Sequence, residues 1–165
     1  MRPSYLLLHC SDTEDGPDLS WPAIRRYHVD VRGWSDIGYH YGIERQGSRI
    51  VALQGRHPMD EGAHCRSAGR NHDSLGICVV GVFEQSVPDD IYHATVDFLT
   101  RLAWTFHITP GHVTGHREWD THGKTCPGMA WDLDKLRRDV RAKMFNIDMP
   151  SHRRGIVLVP AGDEL

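Results

Sequence analysis

The run Leu75-Gly76-Ile77-Cys78-Val79-Val80-Gly81-Val82 constrains this chain more than any other stretch. Its residues do not alternate between a wet and a dry face, so a strand here is buried on both sides and its sheet needs a covering layer on each. Residues 5–10 read as a second short buried strand. Tyr39–Arg45, the turn Gln46-Gly47-Ser48 and Arg49–Gln54 read as strand, turn, strand. Ser20 before Trp21-Pro22 has the character of an N-cap with proline in the first helical turn, and Trp21, Ile24, Tyr27 and His28 follow at helical spacing. The strongest helix follows Pro88, capped by Asp89 or Asp90, with Ile91, Phe98, Leu99, Leu102 and Phe106 on one stripe. A brief strand is expected over 112–115. A last helix from Asp132 or Asp134 carries Leu133, Leu136, Val140 and Met144 on one face. Strands alternating with helices predict one α/β domain, a central mixed sheet flanked by about three helices. Residues 1–146 form the expected domain. Residues 147–165 are a C-terminal tail in which Ile156-Val157-Leu158-Val159 alone has the makings of an extra edge segment.

A chain of 165 residues, 39% of them hydrophobic, can bury one sizeable core. Its net charge of −3 is spread over both signs. Without a clustered basic face, nucleic acid is not an expected partner. The apolar stretch Tyr5-Leu6-Leu7-Leu8 is too short for a signal peptide or a membrane span. We therefore expect synthesis in the cytoplasm without a Sec-type signal, and no stable membrane association.

Chemistry enters with His9, at the end of the first strand, and with Gly115-His116-Arg117 followed by Lys124-Thr125-Cys126-Pro127-Gly128. Two imidazoles and a thiolate are the donor set of a three-ligand zinc site, whose fourth position stays open to water. A metal there turns water into a nucleophile near neutral pH, the basis of metal-assisted hydrolysis. Taken singly, each residue has a blander reading: a satisfied core histidine, a buried thiol, a solvated loop lysine.

Order and wording of five motifs carry a family likeness. Leu8-His9-Cys10-Ser11, Gly38-Tyr39-His40-Tyr41, Gly62-Ala63-His64, Asn71-His72-Asp73-Ser74-Leu75-Gly76-Ile77-Cys78, and Gly115-His116-Arg117 with Lys124-Thr125-Cys126-Pro127-Gly128 follow one another as the family's motifs do. Over roughly residues 5–140 the chain resembles the type 2 N-acetylmuramoyl-L-alanine amidases. That family includes small phage amidase lysozymes, bacterial muropeptide-recycling amidases and animal peptidoglycan recognition proteins. The resemblance implies a peptidoglycan recognition protein-like fold and one Zn2+ per chain, held by His9, His116 and Cys126. It also implies hydrolysis of the lactyl–L-alanine amide of peptidoglycan, with Tyr39 and Lys124 as the non-ligand catalytic residues. His40, His64, Asn71 and His72 are candidates for the substrate groove. His40 reads equally well as structural, on the sheet face opposite Tyr39, and His64 and His72 as ordinary loop histidines. Trp34, Arg56 and Arg66 are further candidates for contacts with sugar or peptide carboxylates. The stretch between His116 and Lys124 differs in length from the shortest phage members, which leaves that loop's conformation open.

Size and motif wording are nearest the phage enzymes. The expected role is that of a monomeric endolysin reaching the wall of a Gram-negative host after holin-mediated release. A cytosolic recycling amidase acting on soluble muropeptides is the alternative enzyme. A peptidoglycan-binding module without turnover is the alternative of another class, and it fits less well because Cys126, Tyr39 and Lys124 are all present. Some phage relatives also bind and inhibit a phage RNA polymerase, a role on which the sequence is silent.

The chain's four cysteines are expected to be reduced. Cys10 and Cys78 lie in or beside apolar stretches and behave as small buried hydrophobes, Cys126 belongs to the metal motif, and Cys65 is left over in a polar loop. Thiol titration of the denatured, metal-stripped protein without reductant should find every cysteine free, and an intact mass two hydrogens too low would contradict it.

Overall fold

The computed structural model describes residues 1–13, 20–145 and 156–159. In chain order the elements are β1 (Tyr5–Cys10), α1 (Trp21–Arg26), β2 (Tyr41–Gln46), β3 (Arg49–Gln54), β4 (Ser74–Val79), α2 (Asp89–Phe106), β5 (Val113–Gly115), α3 (Leu133–Phe145) and β6 (Val157–Val159). The strands make one mixed sheet in the order β5-β1-β4-β2-β3-β6. β1 runs parallel to β4 and β5, β2 parallel to β4, and β2 and β3 form an antiparallel hairpin. β6 adds a parallel edge strand beside β3. The remainder of the tail, and with it most of 147–165, lies outside the described residues.

Every residue of β4 is buried, as its unbroken apolar run requires. The strand ends at Val79 rather than Val82, where the Gly81 amide leaves the ladder and donates to Ser11 Oγ at 2.9 Å. One sheet face is thick: Leu6, Leu8, Ile43, Ile77 and Val79 pack against Phe98, Leu99 and Leu102 of α2 and Leu136 and Val140 of α3. The other face is thinner: Trp21 of α1 covers Val51, Leu53 and Cys78. Side chains alternate along a strand, so with Leu6 and Leu8 on the thick face, His9 falls on the thin one. That placement leaves it in reach of the loops rather than under a helix.

Capping differs from the sequence expectation at α1 and α2. Ser20 is the N-cap of α1 but its side chain makes no cap bond. The Trp21 amide instead donates to Glu44 Oε1 at 2.8 Å, a carboxylate from β2 that is 2% exposed. α1 then loosens into a π-helical turn over Tyr27–Val31. Pro88, not an aspartate, is the N-cap residue of α2; Asp89 and Asp90 sit in the first turn, where they complement the helix dipole, and Asp90 pairs with Arg45. Asp132 does cap α3, accepting the Lys135 amide at 2.8 Å. No helix among the described residues is long and apolar enough to cross a membrane.

The Glu44 contact is testable against the expected cap. Glu44→Leu leaves the buried Trp21 amide without an acceptor and should cost about 1–3 kcal/mol, read as a shift of the urea midpoint at unchanged slope. Ser20→Ala should stay within about 0.5 kcal/mol, since no side-chain cap bond is lost. The reverse ranking would show that Ser20 is the effective cap.

Candidate metal centre

His9 leaves the carboxyl end of β1 and His116 follows the carboxyl end of β5, with the two strands adjacent and in parallel register. Cys126 reaches the same point from the loop after β5. That loop is tied down by Arg117: its amide donates to the Cys126 carbonyl at 2.7 Å, and its guanidinium donates to the carbonyls of Gly128 and Trp131 at 2.5 Å. Glu118 accepts the Gly115 amide at 2.8 Å and pairs with Arg137 of α3, so the final helix anchors the turn that presents His116.

The ligand atoms of His9, His116 and Cys126 lie within 4.8 Å of one another. A thiolate at about 2.3 Å and an imidazole at 2.0–2.1 Å from a tetrahedral zinc stand about 3.6 Å apart. Cys126 Sγ is 3.7 Å from His9 Nδ1, which fits. The Cys10 amide donates to Cys126 Sγ at 3.4 Å, a bond that favours a thiolate. Burial, then the neighbouring His64, His116 and Lys124, hold His9 well below the usual imidazole range. Burial and Lys124 lower His116 as well. Both rings are therefore neutral near pH 7, the form that donates a lone pair to a metal. The Cys10 thiol beside it and burial push the Cys126 thiol up against the pull of the Cys10 amide, so a cation would have to supply the charge that makes it a thiolate.

Tyr39 and Lys124 border this cluster. The Tyr39 ring lies 5.2 Å from that of His9, and burial with the nearby thiols raises its phenol well above the ordinary range. The phenol is thus a hydrogen-bond donor rather than a base. Lys124 is exposed, and its charge is felt at both histidines. Cys126 is itself partly exposed, so the cluster is not sealed from solvent.

The remaining candidates separate. Tyr39 and His40 precede β2 instead of lying in it, so strand alternation does not divide them, and both rings approach His64, at 6.4 and 5.6 Å. His40 has no exposed surface; its Nδ1 accepts the Gly76 amide at 2.9 Å and its Nε2 donates to the Asp60 carbonyl at 3.1 Å. Burial brings it down to about 4, and with both nitrogens on main chain it clamps a loop to β4. His64 is buried and in contact with His9. Asn71 Oδ1 accepts the amides of His64 and Cys65 at 3.0 and 2.7 Å and shapes their loop. His72 is exposed, away from the cluster's contacts. Arg56 is committed to the carbonyls of Ile37 and Glu61 at 2.7 and 2.6 Å, which spends its guanidinium on the fold.

Three contributors carry no clear sequence signal. Cys10, which reads as a plain buried thiol, offers its amide to Cys126; its place next to His9 is the available clue. His28 stacks on Trp34 at 4.6 Å and lies 5.7 Å from Tyr39, packing beside that residue. Asp120 Oδ2 accepts the amides of His122 and Lys124 at 2.8 and 3.0 Å, an Asx-type turn that settles the conformation of the loop between His116 and Lys124.

Comparison with known proteins agrees with this architecture. The chain is 38% identical over 76 residues to the endolysin of Escherichia phage T7, a match covering 46% of each protein. It spans about half the length of the phage relatives it matches. Among solved structures, the N-acetylmuramoyl-L-alanine amidase LysC from Clostridium intestinale superposes with a TM-score of 0.70 at 23% identity, covering 84% of this chain and 85% of that one. Drosophila PGRP-LB gives 0.65 at 24% identity, covering 93% and 86%. At these identities the two structures establish a shared fold. The model of one family, N-acetylmuramoyl-L-alanine amidase, matches residues 1–129, a stretch that contains β1 to β5 and all three members of the candidate metal cluster, and the chain belongs to that family.

Proposed function

We propose that this chain is a zinc-dependent N-acetylmuramoyl-L-alanine amidase that hydrolyses the amide joining the lactyl group of N-acetylmuramic acid to L-alanine in peptidoglycan, and that it serves as a phage endolysin. The observation that carries the reading is the convergence of His9, His116 and Cys126, with Tyr39 beside His9 and the charge of Lys124 felt at both histidines. Zinc held by these three side chains would act as a Lewis acid, activating water and polarising the amide carbonyl. Water oxygen adds to the carbonyl carbon, the carbon–nitrogen bond breaks, and a proton passes to the departing L-alanine nitrogen. The Lys124 ammonium stabilises negative charge developing on the carbonyl oxygen. The Tyr39 hydroxyl orients the attacking water by hydrogen bonding. Arg117 and Asp120 hold the loop that sets Cys126 and Lys124 at their stations. Similarity to phage endolysins supports the lytic role.

Residues 1–146 are proposed to contain the whole catalytic unit. Truncation after Asn146 removes β6 and the buried Ile156. The shortened protein should be less stable yet still bind zinc and turn over soluble muropeptide. A folded, zinc-loaded truncation without turnover would place a catalytic requirement in the tail.

Metal binding and catalysis should separate by mutation. Cys126→Ala should lose both zinc and activity, and full zinc occupancy by elemental analysis would remove it from the ligand set. Lys124→Ala and Tyr39→Phe should keep fold and zinc while amide cleavage of purified muropeptide falls. The lysine change should cost about a hundred- to a thousand-fold, as for loss of an oxyanion donor, and the tyrosine change roughly a hundred-fold. Rate should suffer more than substrate affinity. Near-wild-type turnover in both variants would sink this account of the chemistry.

A further inference from the structure

His9 has two ring nitrogens, and only Nδ1 faces Cys126. Its Nε2 lies 3.0 Å from His64 Nδ1, a buried contact between residues 55 apart in sequence. One of those two nitrogens carries the shared proton. If it sat on His64 Nδ1, His9 would be the Nδ1–H tautomer, with a hydrogen where the lone pair for a metal must be. If it sits on His9 Nε2, the lone pair at Nδ1 is free. In that arrangement His64 Nδ1 is the acceptor and the proton of the neutral His64 ring sits on Nε2, a buried atom with no hydrogen-bond partner among the described residues.

The His64 ring has little freedom to do anything else. A Cβ at Gly62 or at Gly76 would stand 2.5 Å from its Cδ2, so both positions need glycine to let the ring in. Its amide and that of Cys65 are pinned by Asn71 Oδ1. Exposure of 9% gives it almost no surface to offer a substrate.

We propose that His64 is the positioning residue of this centre: by accepting the Nε2–H of His9 it fixes the tautomer and the ring plane of the ligand. The inference rests on the zinc reading above. It moves His64 from the substrate groove to a place behind the metal ligand, where such partners typically contribute ten- to a hundred-fold in metal affinity.

Two variants and one spectrum test it. His64→Leu keeps apolar volume but removes the acceptor, whereas His64→Asn sets an amide oxygen near the position of Nδ1. In chelator competition the leucine variant should bind zinc about ten- to a hundred-fold more weakly, and the asparagine variant within about threefold of wild type. Nitrogen-15 NMR of metal-free wild type should show His9 protonated at Nε2, with a mixture of tautomers in the leucine variant. A folded leucine variant of wild-type affinity would overturn the proposal. So would His9 protonated at Nδ1 in the metal-free wild type, a readout that needs no variant to fold. Failure of the zinc reading looks different: wild type would bind no zinc, or His9→Ala would bind it as well, and the His9 tautomer would still judge His64.

Discussion

The parallel register of β1 against β5 is the constraint on which the site depends. Leu8 pairs with Gly115, so the next residue on each chain, His9 and His116, emerges at the same level from neighbouring strands. Their rings meet at 4.5 Å between centroids. A slip of one residue would turn His9 toward the thick helical layer and exchange it with a core side chain. The register is held by the core itself, because Leu6 and Leu8 of β1 and Val113 of β5, which pairs with Leu6, belong to the one core packed under α2 and α3. Core packing and ligand placement are therefore one requirement.

The convergence has an electrostatic consequence. Two neutral imidazoles and a thiol that burial keeps protonated meet at a partly dry point, a donor set that could hold a metal ion at the expense of the thiol proton. Hydrogen bonds support the candidate ligands from behind: the Cys10 amide on Cys126 Sγ, His64 on His9, and the Arg117 ties around the Cys126 loop. Much of the motif wording of this chain is spent on that support. Arg117 in Gly115-His116-Arg117 and Asn71 in Asn71-His72 act through main-chain bonds rather than toward solvent.

The sequence is a good guide wherever periodicity or motif order carries the information. β1 and β3 have the bounds that alternation and apolar runs predict, and α2 buries the stripe of Ile91, Phe98, Leu99 and Leu102. His9, His116 and Cys126 come together as the motif order implies. It is a poor guide to contacts whose partners are far apart. Glu44 capping Trp21, His40 bridging Gly76 and Asp60, and His64 meeting His9 leave no local trace, because each depends on strand register and loop closure that a linear pattern does not encode. The end of β4 differs from the apolar run for the same reason: Ser11, a residue from another loop, draws Gly81 out of the ladder.

X-ray absorption at the zinc edge of the metal-loaded protein tests the central claim most directly, since it reads the ligand set itself. A centre built from His9, His116 and Cys126 predicts a single sulfur scatterer at about 2.3 Å, with the remaining nitrogen and oxygen ligands at about 2.0–2.1 Å. A spectrum with no sulfur would remove Cys126 from the centre, and one with two sulfurs would bring in Cys10; either result contradicts that ligand set.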